Sequence, residues 1–282
     1  MLKLIIISLN GQLIPTQLAN FNWLKWSILA EYTVIMPHSL MQKVNSFALR
    51  SFRDTADKDY IHARMAYRAS LFPQFHWSAL HALEKYAKCI LILTRIRKSK
   101  KREDFINHEV SKSLVLIRNV FDLTLSEQTI NFIERLEKFG ARFRYLEVSW
   151  FITDCELAIL DRAVWELRRY CNDAVYKYCE NQYVSLNNEQ YELIKLIEKP
   201  TKLNTFVLGG FLEKILKNVD SNARPDLIWN NLYYSNSTRK TVSIKTSSTA
   251  ENCPFDLYPE IIDEVSKYTF IPKEIREAYK NG

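Results

Sequence analysis

Glycine and proline are both scarce in this chain. The sequence holds 5 glycines and 8 prolines among 282 residues. A β-sandwich or β-barrel joins many short strands through turns that depend on these two residue types. The scarcity therefore argues against both all-β architectures.

Cysteine is also used sparingly, and no Cys-x-x-Cys pair occurs. An odd number of cysteines does not suit a disulfide framework, and most of them stand in apolar helical patterns. Reduced thiols are typical of cytoplasmic proteins, so the sequence predicts a cytoplasmic location. The cysteines are Cys89, Cys155, Cys171, Cys179 and Cys253.

No apolar run reaches the roughly 20 residues that a membrane-spanning helix needs. The N-terminal MLKLIIISL is too short to span, and no small-residue cleavage site of a signal peptide follows it. The chain also lacks a P-loop, a GxGxxG, a GxSxG and any zinc-ligand spacing. The sequence therefore predicts no membrane attachment, no cofactor and no metal.

Positive charge is in excess and is concentrated in one segment. The 39 Lys and Arg exceed the 32 Asp and Glu, giving a formal net charge of +7. Such an excess allows contact with RNA phosphates, but a charged loop between helices also keeps a protein soluble, and both interpretations stay open. The basic segment contains Arg95, Arg97, Lys98, Lys100, Lys101 and Arg102.

Helical periodicity dominates from Met41 to about residue 187. Apolar residues recur three and four apart after Thr153, and again from Leu80 to Leu91. Pro73 fits the first turn of a helix. Ser126 is predicted to cap a helix that Gly140 ends, and Thr153-Asp-Cys-Glu156 has the pattern of a capping box. We predict a helix over residues 44–71, one following Pro73 and one from His108.

The sequence predicts an all-α fold with three regions. Residues 41–187 form an up-and-down bundle of four to five helices. Residues 188–282 form an irregular, mostly helical extension, with short helices near 213–217, 259–268 and 273–279. Residues 1–40 do not match the composition of the rest, and are either an over-extended reading of the gene or an added strand and helix.

One stretch of the sequence resembles a known family. Ala63, Arg64 and Tyr67 form an Ala-Arg-x-x-Tyr, the aromatic pair Phe75-x-Trp77 follows, and an apolar helix continues over residues 82–93 to a helix opened by His108. This pattern resembles the HEPN family, the nucleotide-binding helical bundles of higher eukaryotes and prokaryotes. The resemblance implies a homodimer that acts near RNA or nucleotides, in toxin–antitoxin or phage-defence settings, with a possible protein partner.

The resemblance also implies a candidate catalytic pair. Ribonuclease members carry an arginine and, four to six residues on, a histidine that transfers a proton without metal while the arginine holds the phosphate. Here Arg102 and His108 have that spacing, but Glu103 and Asp104 would repel a phosphate beside them. We therefore expect a non-catalytic RNA- or nucleotide-associated binding or interaction module. The alternative is a metal-independent endoribonuclease that uses Arg102 and His108.

Two further sets of residues bear on ligands and partners. Exposed Trp77, Trp150 and Trp165 would favour a dimer surface. A second set mixes basic and aromatic side chains, which could clamp a nucleotide by stacking or form ion pairs on the bundle surface. The second set is Arg142, Arg144, Tyr145, Arg168, Arg169 and Tyr170.

Overall fold

The computed structural model describes most of the chain from Leu40 onward. The described residues from 41 onward belong to one compact unit, Met41–Gly282. The described residues are 40–96, 109–119, 123–143, 145–172, 178–179, 182–183, 209–235, 241–242, 244 and 247–280. The predicted N-terminal segment 1–40 lies outside them except for Leu40.

The described residues are mostly helical, as the sequence predicted. The longer helices are α1 (Leu40–Phe47), α2 (Asp54–Arg68), α3 (Phe72–Leu93), α4 (Val110–Arg118), α5 (Glu127–Phe143) and α6 (Glu156–Arg168). The shorter ones are α7 (Phe211–Lys217), α8 (Arg224–Ile228), α9 (Pro254–Leu257), α10 (Ile262–Val265) and α11 (Lys273–Lys280).

Helix α3 lies at the centre of the packing. Pro73 occupies its first turn, where a missing N–H has no helical partner to lose. The buried side chains Leu83, Tyr86, Ile90 and Leu93 recur three and four apart along it. Helix α3 packs against α2, α4, α5 and α6, so most of the described core forms around this one helix.

Helices α1 and α2 are joined without a turn by a π-helical segment, Ala48–Arg53. A π-helix forms i→i+5 hydrogen bonds, so each of its turns is wider than an α-helical turn. Ala48 and Arg53 are buried in this segment whereas Arg50 and Ser51 are exposed. The predicted helix over residues 44–71 is therefore confirmed as a continuous helical run that changes its pitch once.

Short antiparallel strands interrupt the helices. Strand β1 (Trp150–Thr153) pairs with β4 (Ser248–Glu251), with Trp150 opposite Glu251 and Thr153 opposite Ser248. A second pair joins β2 (Tyr178–Cys179) to β3 (Gln182–Tyr183). Three of the four described strands lie within residues 41–187, a range for which the sequence predicted almost wholly helical structure.

Three predicted helix ends are wrong. Thr153 belongs to β1, and the Glu156 carboxylate binds His76 and Arg135 instead of closing a capping box. Helix α5 continues past Gly140 to Phe143, with Gly140 packed against the main chain of His76. Helix α4 begins at Val110 because Glu109 has an extended backbone, with φ −90° and ψ 102°.

The cap at Ser126 is confirmed. Its Oγ accepts a hydrogen bond from the Thr129 amide at 3.3 Å, which satisfies one of the unpaired N–H groups of the first turn of α5. The short helices predicted near residues 213–217, 259–268 and 273–279 are present as α7, a 3₁₀ turn at Pro259–Ile261 followed by α10, and α11.

Two fully buried arginines tie residues 209–235 to the helices around α3. Arg168 of α6 donates to Asp57 of α2 and to Glu213 of α7. Arg64 of α2 donates to the Asp161 carboxylate and to the carbonyl oxygens of Asp226, at 2.8 Å, and Trp229. A buried charge is tolerated only when it is paired and hydrogen-bonded. Residues 209–235 therefore complete the interior instead of lying loosely on it.

The C-terminal residues 247–280 build a small apolar cluster of their own. It consists of Cys253, Phe255, Ile262, Ile271 and Ile275, all buried. Helix α11 supplies Ile275 to it, and Val148 and Tyr279 pack against its edge. Among the described residues, no helix is long and apolar enough to cross a membrane.

Candidate nucleic-acid interface

An open groove of about 600 Å³ follows α1 and the π-helical segment. Its described lining residues supply two cations, three hydroxyls and one aromatic ring, and none of them is acidic. The lining residues are Lys43, Ser46, Phe47, Arg50, Ser51 and Thr55.

The helical spacing places the groove's key side chains together. Lys43 and Phe47 are four residues apart, the spacing that puts side chains on one face of an α-helix. Arg50 follows in the π-helical segment and lines the same groove. All three are exposed, and Phe47 retains 56% of its side-chain exposure. The ring of Phe47 packs edge-to-face on Phe52, with centroids 5.8 Å apart, so an exposed aromatic surface is held in one orientation.

The groove is positively charged. Neither Lys43 nor Arg50 forms an ion pair with a described residue. The nearest acid in sequence, Asp54, accepts from Arg53 at 3.0 Å. The Thr55 hydroxyl donates to the carbonyl oxygen of Ser51 at 2.6 Å, so it braces the backbone of the groove. Two cations with no carboxylate partner among the described residues attract anions, and phosphate is the common biological one.

Arg95, the first residue of the predicted basic segment, lies beside the helix that carries this groove. Its guanidinium donates to the carbonyl oxygen of Met41 at 3.2 Å and to the side chain of Asn45. Its backbone has φ +57°, which turns the chain away from the end of α3. Arg95 thus fixes the start of the basic segment against α1, and its half-buried side chain has a structural role.

The other residues predicted to bind or cleave RNA lie outside the described residues. These are Arg97, Lys98, Lys100, Lys101, Arg102 and His108. Their roles in phosphate contact and catalysis therefore stay predictions.

The residues that carry the family resemblance have structural roles here. Arg64 is fully buried in the Asp161 pair, and the Tyr67 hydroxyl donates to the carbonyl oxygen of Asp154 at 3.1 Å. Phe75 is buried against the Tyr67 ring, 5.2 Å between centroids. The Ala-Arg-x-x-Tyr pattern thus joins α2 to α3, α6 and the C-terminal residues.

The mixed basic and aromatic set proved to be mostly interior. Arg168 and Tyr170 are fully buried, and the buried Arg169 lies 4.4 Å from the Trp165 ring centroid. Both expectations for Arg168, a nucleotide clamp and a surface ion pair, were wrong, because its partners Asp57 and Glu213 lie in the core. Arg142 does form a surface pair with Glu274 at 3.8 Å, and Arg144 lies outside the described residues.

The argument for a dimer from exposed tryptophans was also wrong. Trp150 is buried at 6% exposure, where it meets Phe72. Trp165 is partly covered because it stacks on Tyr233, and Trp77 is partly covered beside His81. A homodimer therefore remains a prediction that rests on the family resemblance.

The sequence contained a signal for the groove that charge counting missed. Lys43-x-x-x-Phe47-x-x-Arg50 places a cation, an aromatic ring and a second cation on one helical face. A count of charges alone points to residues 95–102 and not to this helical face. The π-helical pitch that keeps Arg50 exposed and Arg53 buried has no comparable sequence signal.

Across the described residues, no group of three His, Cys, Asp or Glu side chains could hold a metal ion. No protein-family model, curated protein or solved structure matches this chain.

Proposed function

We propose that the protein is a HEPN-like, up-and-down helical bundle that binds single-stranded RNA without cleaving it, as a cytoplasmic homodimer. The observation that carries the proposal is the groove in which Phe47 stands between Lys43 and Arg50. Proteins that hold single strands combine cations for the phosphates with aromatic rings on which bases stack. The groove contains both, on one helical face.

The geometry suits a strand more than a duplex. Lys43 and Phe47 are separated by about 6 Å along the axis of α1, at a rise of 1.5 Å per residue, and Arg50 lies further along the groove. A base that stacks on Phe47 must be unpaired and turned out of its helix, which single-stranded RNA permits. The exposed hydroxyls of Ser46 and Ser51 can donate to phosphate or ribose oxygens on either side of that base.

The basic segment supports the same ligand. Arg95 fixes the end of α3 against Met41 and Asn45, so the chain enters residues 97–102 from beside the helix that carries the groove. Those six residues include five cations. Five cations in so short a segment favour contact with RNA phosphates, so its sequence supports the same ligand.

The start of α4 favours binding over cleavage. A phosphate held beside His108 would use the positive end of the following helix. That end is preceded by Glu109, whose carboxylate pairs with Lys112 at 2.7 Å within the first turn. This carboxylate repels a phosphate beside it, and in the sequence Glu103 and Asp104 add two more acidic residues between Arg102 and His108.

Fluorescence anisotropy of a labelled, unstructured RNA oligonucleotide tests the proposal. We expect Phe47→Ala, and separately Lys43→Gln with Arg50→Gln, to weaken binding by about tenfold or more, since one stacked base contributes about 1–3 kcal/mol. Phe270→Ala removes another exposed ring, and Lys214→Gln with Lys217→Gln removes two other exposed charges. Equal losses in the groove variants and these controls would overturn the assignment to the groove, as would tighter binding of duplex RNA.

A further inference from the structure

A second cavity, of about 390 Å³, opens between the end of α2, the start of α6 and the turn at Trp229. It shares no lining residue with the groove. Its polar lining is Tyr67, Asp154, Asn230 and Ser247, and Trp229 and Ile244 contribute apolar surface. Its size is at the lower end of small-ligand sites, and an apolar lining with a few convergent polar groups is what such sites have.

Asp154 is the charged residue among the described residues that line this cavity, and it is held in a fixed orientation. Its Oδ2 atom accepts from the amide and the hydroxyl of Ser247, at 2.9 and 2.5 Å. No described Lys, Arg or His forms an ion pair with it. A carboxylate has about four acceptor positions, so the Ser247 bonds leave capacity for a further donor.

The surroundings of Tyr67 show the sign of the local charge. Burial, and after it the negative charges of Asp154 and Glu156, raise the pKa of Tyr67 to about 12. The hydroxyl therefore stays protonated and donates to the Asp154 carbonyl, while its oxygen can still accept. A cavity with this charge attracts a cation and repels phosphate.

Hydrogen bonds from the protein interior hold the turn at Trp229 in place. The buried Arg64 donates to the carbonyl oxygens of Asp226 and Trp229, and Asn230 adopts a left-handed backbone with φ 48°. Asparagine tolerates that conformation better than most residues. The Trp229 ring, 40% exposed, already has the Arg68 guanidinium 5.3 Å from its centroid. Arg68 thus already makes a cation–π contact with this ring, and a ligand cation would stack on the part of the ring that stays exposed.

We infer that this cavity binds a guanidinium group. A guanidinium is planar, carries a permanent charge and has five donors, which match the acceptors on Asp154, Tyr67 and Asn230. Its flat face suits stacking against Trp229, and its pairing with Asp154 is a charge-assisted hydrogen bond. An ammonium group would supply the charge without the stacking plane.

Two sources can supply this group, a small guanidino compound and the arginine side chain of a peptide. Calorimetric titration of the full chain with agmatine and with acetyl-Gly-Arg-Gly-amide distinguishes them. If agmatine and the peptide bind with equal affinity, the peptide backbone contributes nothing and the site is assigned to the free compound. If the peptide binds more tightly, the site is assigned to an arginine side chain of a protein. The matched control is the peptide with citrulline, which has nearly the same shape but no charge.

We expect saturable binding of the arginine ligand and at least about tenfold weaker binding of the citrulline peptide, because an ionised pair is about twice as strong as a neutral one. Asp154→Asn should weaken arginine binding to the same degree, whereas Asp220→Asn, the same change at an exposed site outside the cavity, should not. Should Asp154→Asn fail to fold, Trp229→Leu against Trp229→Phe provides the comparison, with loss expected in the leucine variant.

Binding of both peptides with equal affinity, or no measurable heat at millimolar ligand, would overturn the inference. So would full binding by folded Asp154→Asn. The Lys43→Gln, Arg50→Gln variant should bind agmatine normally, so failure of the RNA proposal and failure of this one give different results.

Discussion

Arg168 and Asp57 form a two-point ion pair in the interior of the protein. The Nε and Nη2 atoms of Arg168 donate to the two carboxylate oxygens of Asp57 at 2.7 and 2.9 Å, and both side chains are fully buried. Tyr86 and the Leu212 amide also donate to Asp57. This carboxylate therefore joins α2, α3, α6 and the start of α7.

Replacing Asp57 by asparagine should strongly destabilise the fold. The change leaves the Arg168 charge with Glu213 alone and removes acceptor positions, and breaking a buried pair typically costs about 3–5 kcal/mol of unfolding free energy. Urea unfolding of Asp57→Asn measures this loss. Asp220→Asn, at an exposed site, should change stability by less than about 0.5 kcal/mol. Equal stability of the two variants would show that the buried pair does not hold the C-terminal residues in place.

Acid should weaken the fold through Glu156. Burial alone would raise the pKa of this carboxyl, but hydrogen bonds from His76 and Arg135 outweigh burial and hold the pKa below its usual range. A depressed pKa contributes stability that is present above the unfolded value, 4.5, and lost as the pH falls through the folded value. The urea concentration at the unfolding midpoint should therefore decrease as the pH is lowered from about 5 to about 3.

Glu156→Gln should be less stable than the wild type at neutral pH and should lose less stability on acidification. Glu264→Gln, which removes an exposed carboxylate, is the matched control and should follow the wild type. A pH profile of Glu156→Gln that parallels the wild type would contradict the assignment of acid sensitivity to this residue. The pKa of Glu213 is lowered in the same sense, since hydrogen bonding to Arg168 outweighs its burial, so some acid sensitivity should remain.

Gly210 should not tolerate a side chain. Its φ is +146°, and an added Cβ would lie 3.0 Å from the Nη2 atoms of both Arg168 and Arg53. Backbone strain and displacement of the buried guanidinium groups should together cost roughly 2–4 kcal/mol in Gly210→Ala. Gly209→Ala has positive φ but no atom within 4 Å of its Cβ, so its cost should be about 1–2 kcal/mol. Thermal unfolding compares the two, and the reverse order would contradict this account.

The spacing of apolar residues predicted the helices well, because a helix that buries one face needs apolar residues three and four positions apart. Leu157, Leu160, Val164 and Leu167 line the inner face of α6 as their spacing indicated. Helix ends were harder, since the capping-box pattern at Thr153 was overridden by long-range partners: Ser248 opposite Thr153 in the strand pair, and His76 and Arg135 for Glu156. No local pattern reports these partners, which are 21 residues away for Arg135 and 80 for His76.

The functional residues were harder to predict than the helices. The sequence predicted an RNA contact at residues 95–102, whereas the described groove is lined by Lys43, Phe47 and Arg50. Of these three, Arg50 lies in the π-helical segment, whose pitch no sequence pattern indicated. The burial of two arginines was equally hard to predict from the sequence. Arg64 and Arg168 look like surface residues until Asp161, Asp57 and Glu213 are brought beside them by the fold.

The purified protein should not cleave RNA. Carboxylates at Glu103, Asp104 and Glu109 flank the Arg102–His108 pair in sequence and oppose a bound phosphate. Incubation with labelled RNA in EDTA, resolved on a gel, measures cleavage. If cleavage occurs and falls by about 10² or more in His108→Ala, as loss of a general acid–base group would cause, the ribonuclease alternative is correct. Arg102→Ala should then be slowed as well.

The salt dependence of RNA binding tests the central claim most directly. Each phosphate neutralised on a single strand contributes about 0.7 to the slope of log K against log salt concentration. Wild-type protein should show a steep slope, and Lys43→Gln with Arg50→Gln should reduce it by about 1.4, the value for two contacts. Lys214→Gln with Lys217→Gln should leave the slope unchanged. A slope that is the same in the wild type and in the groove variant would contradict RNA binding at the Lys43–Phe47–Arg50 groove.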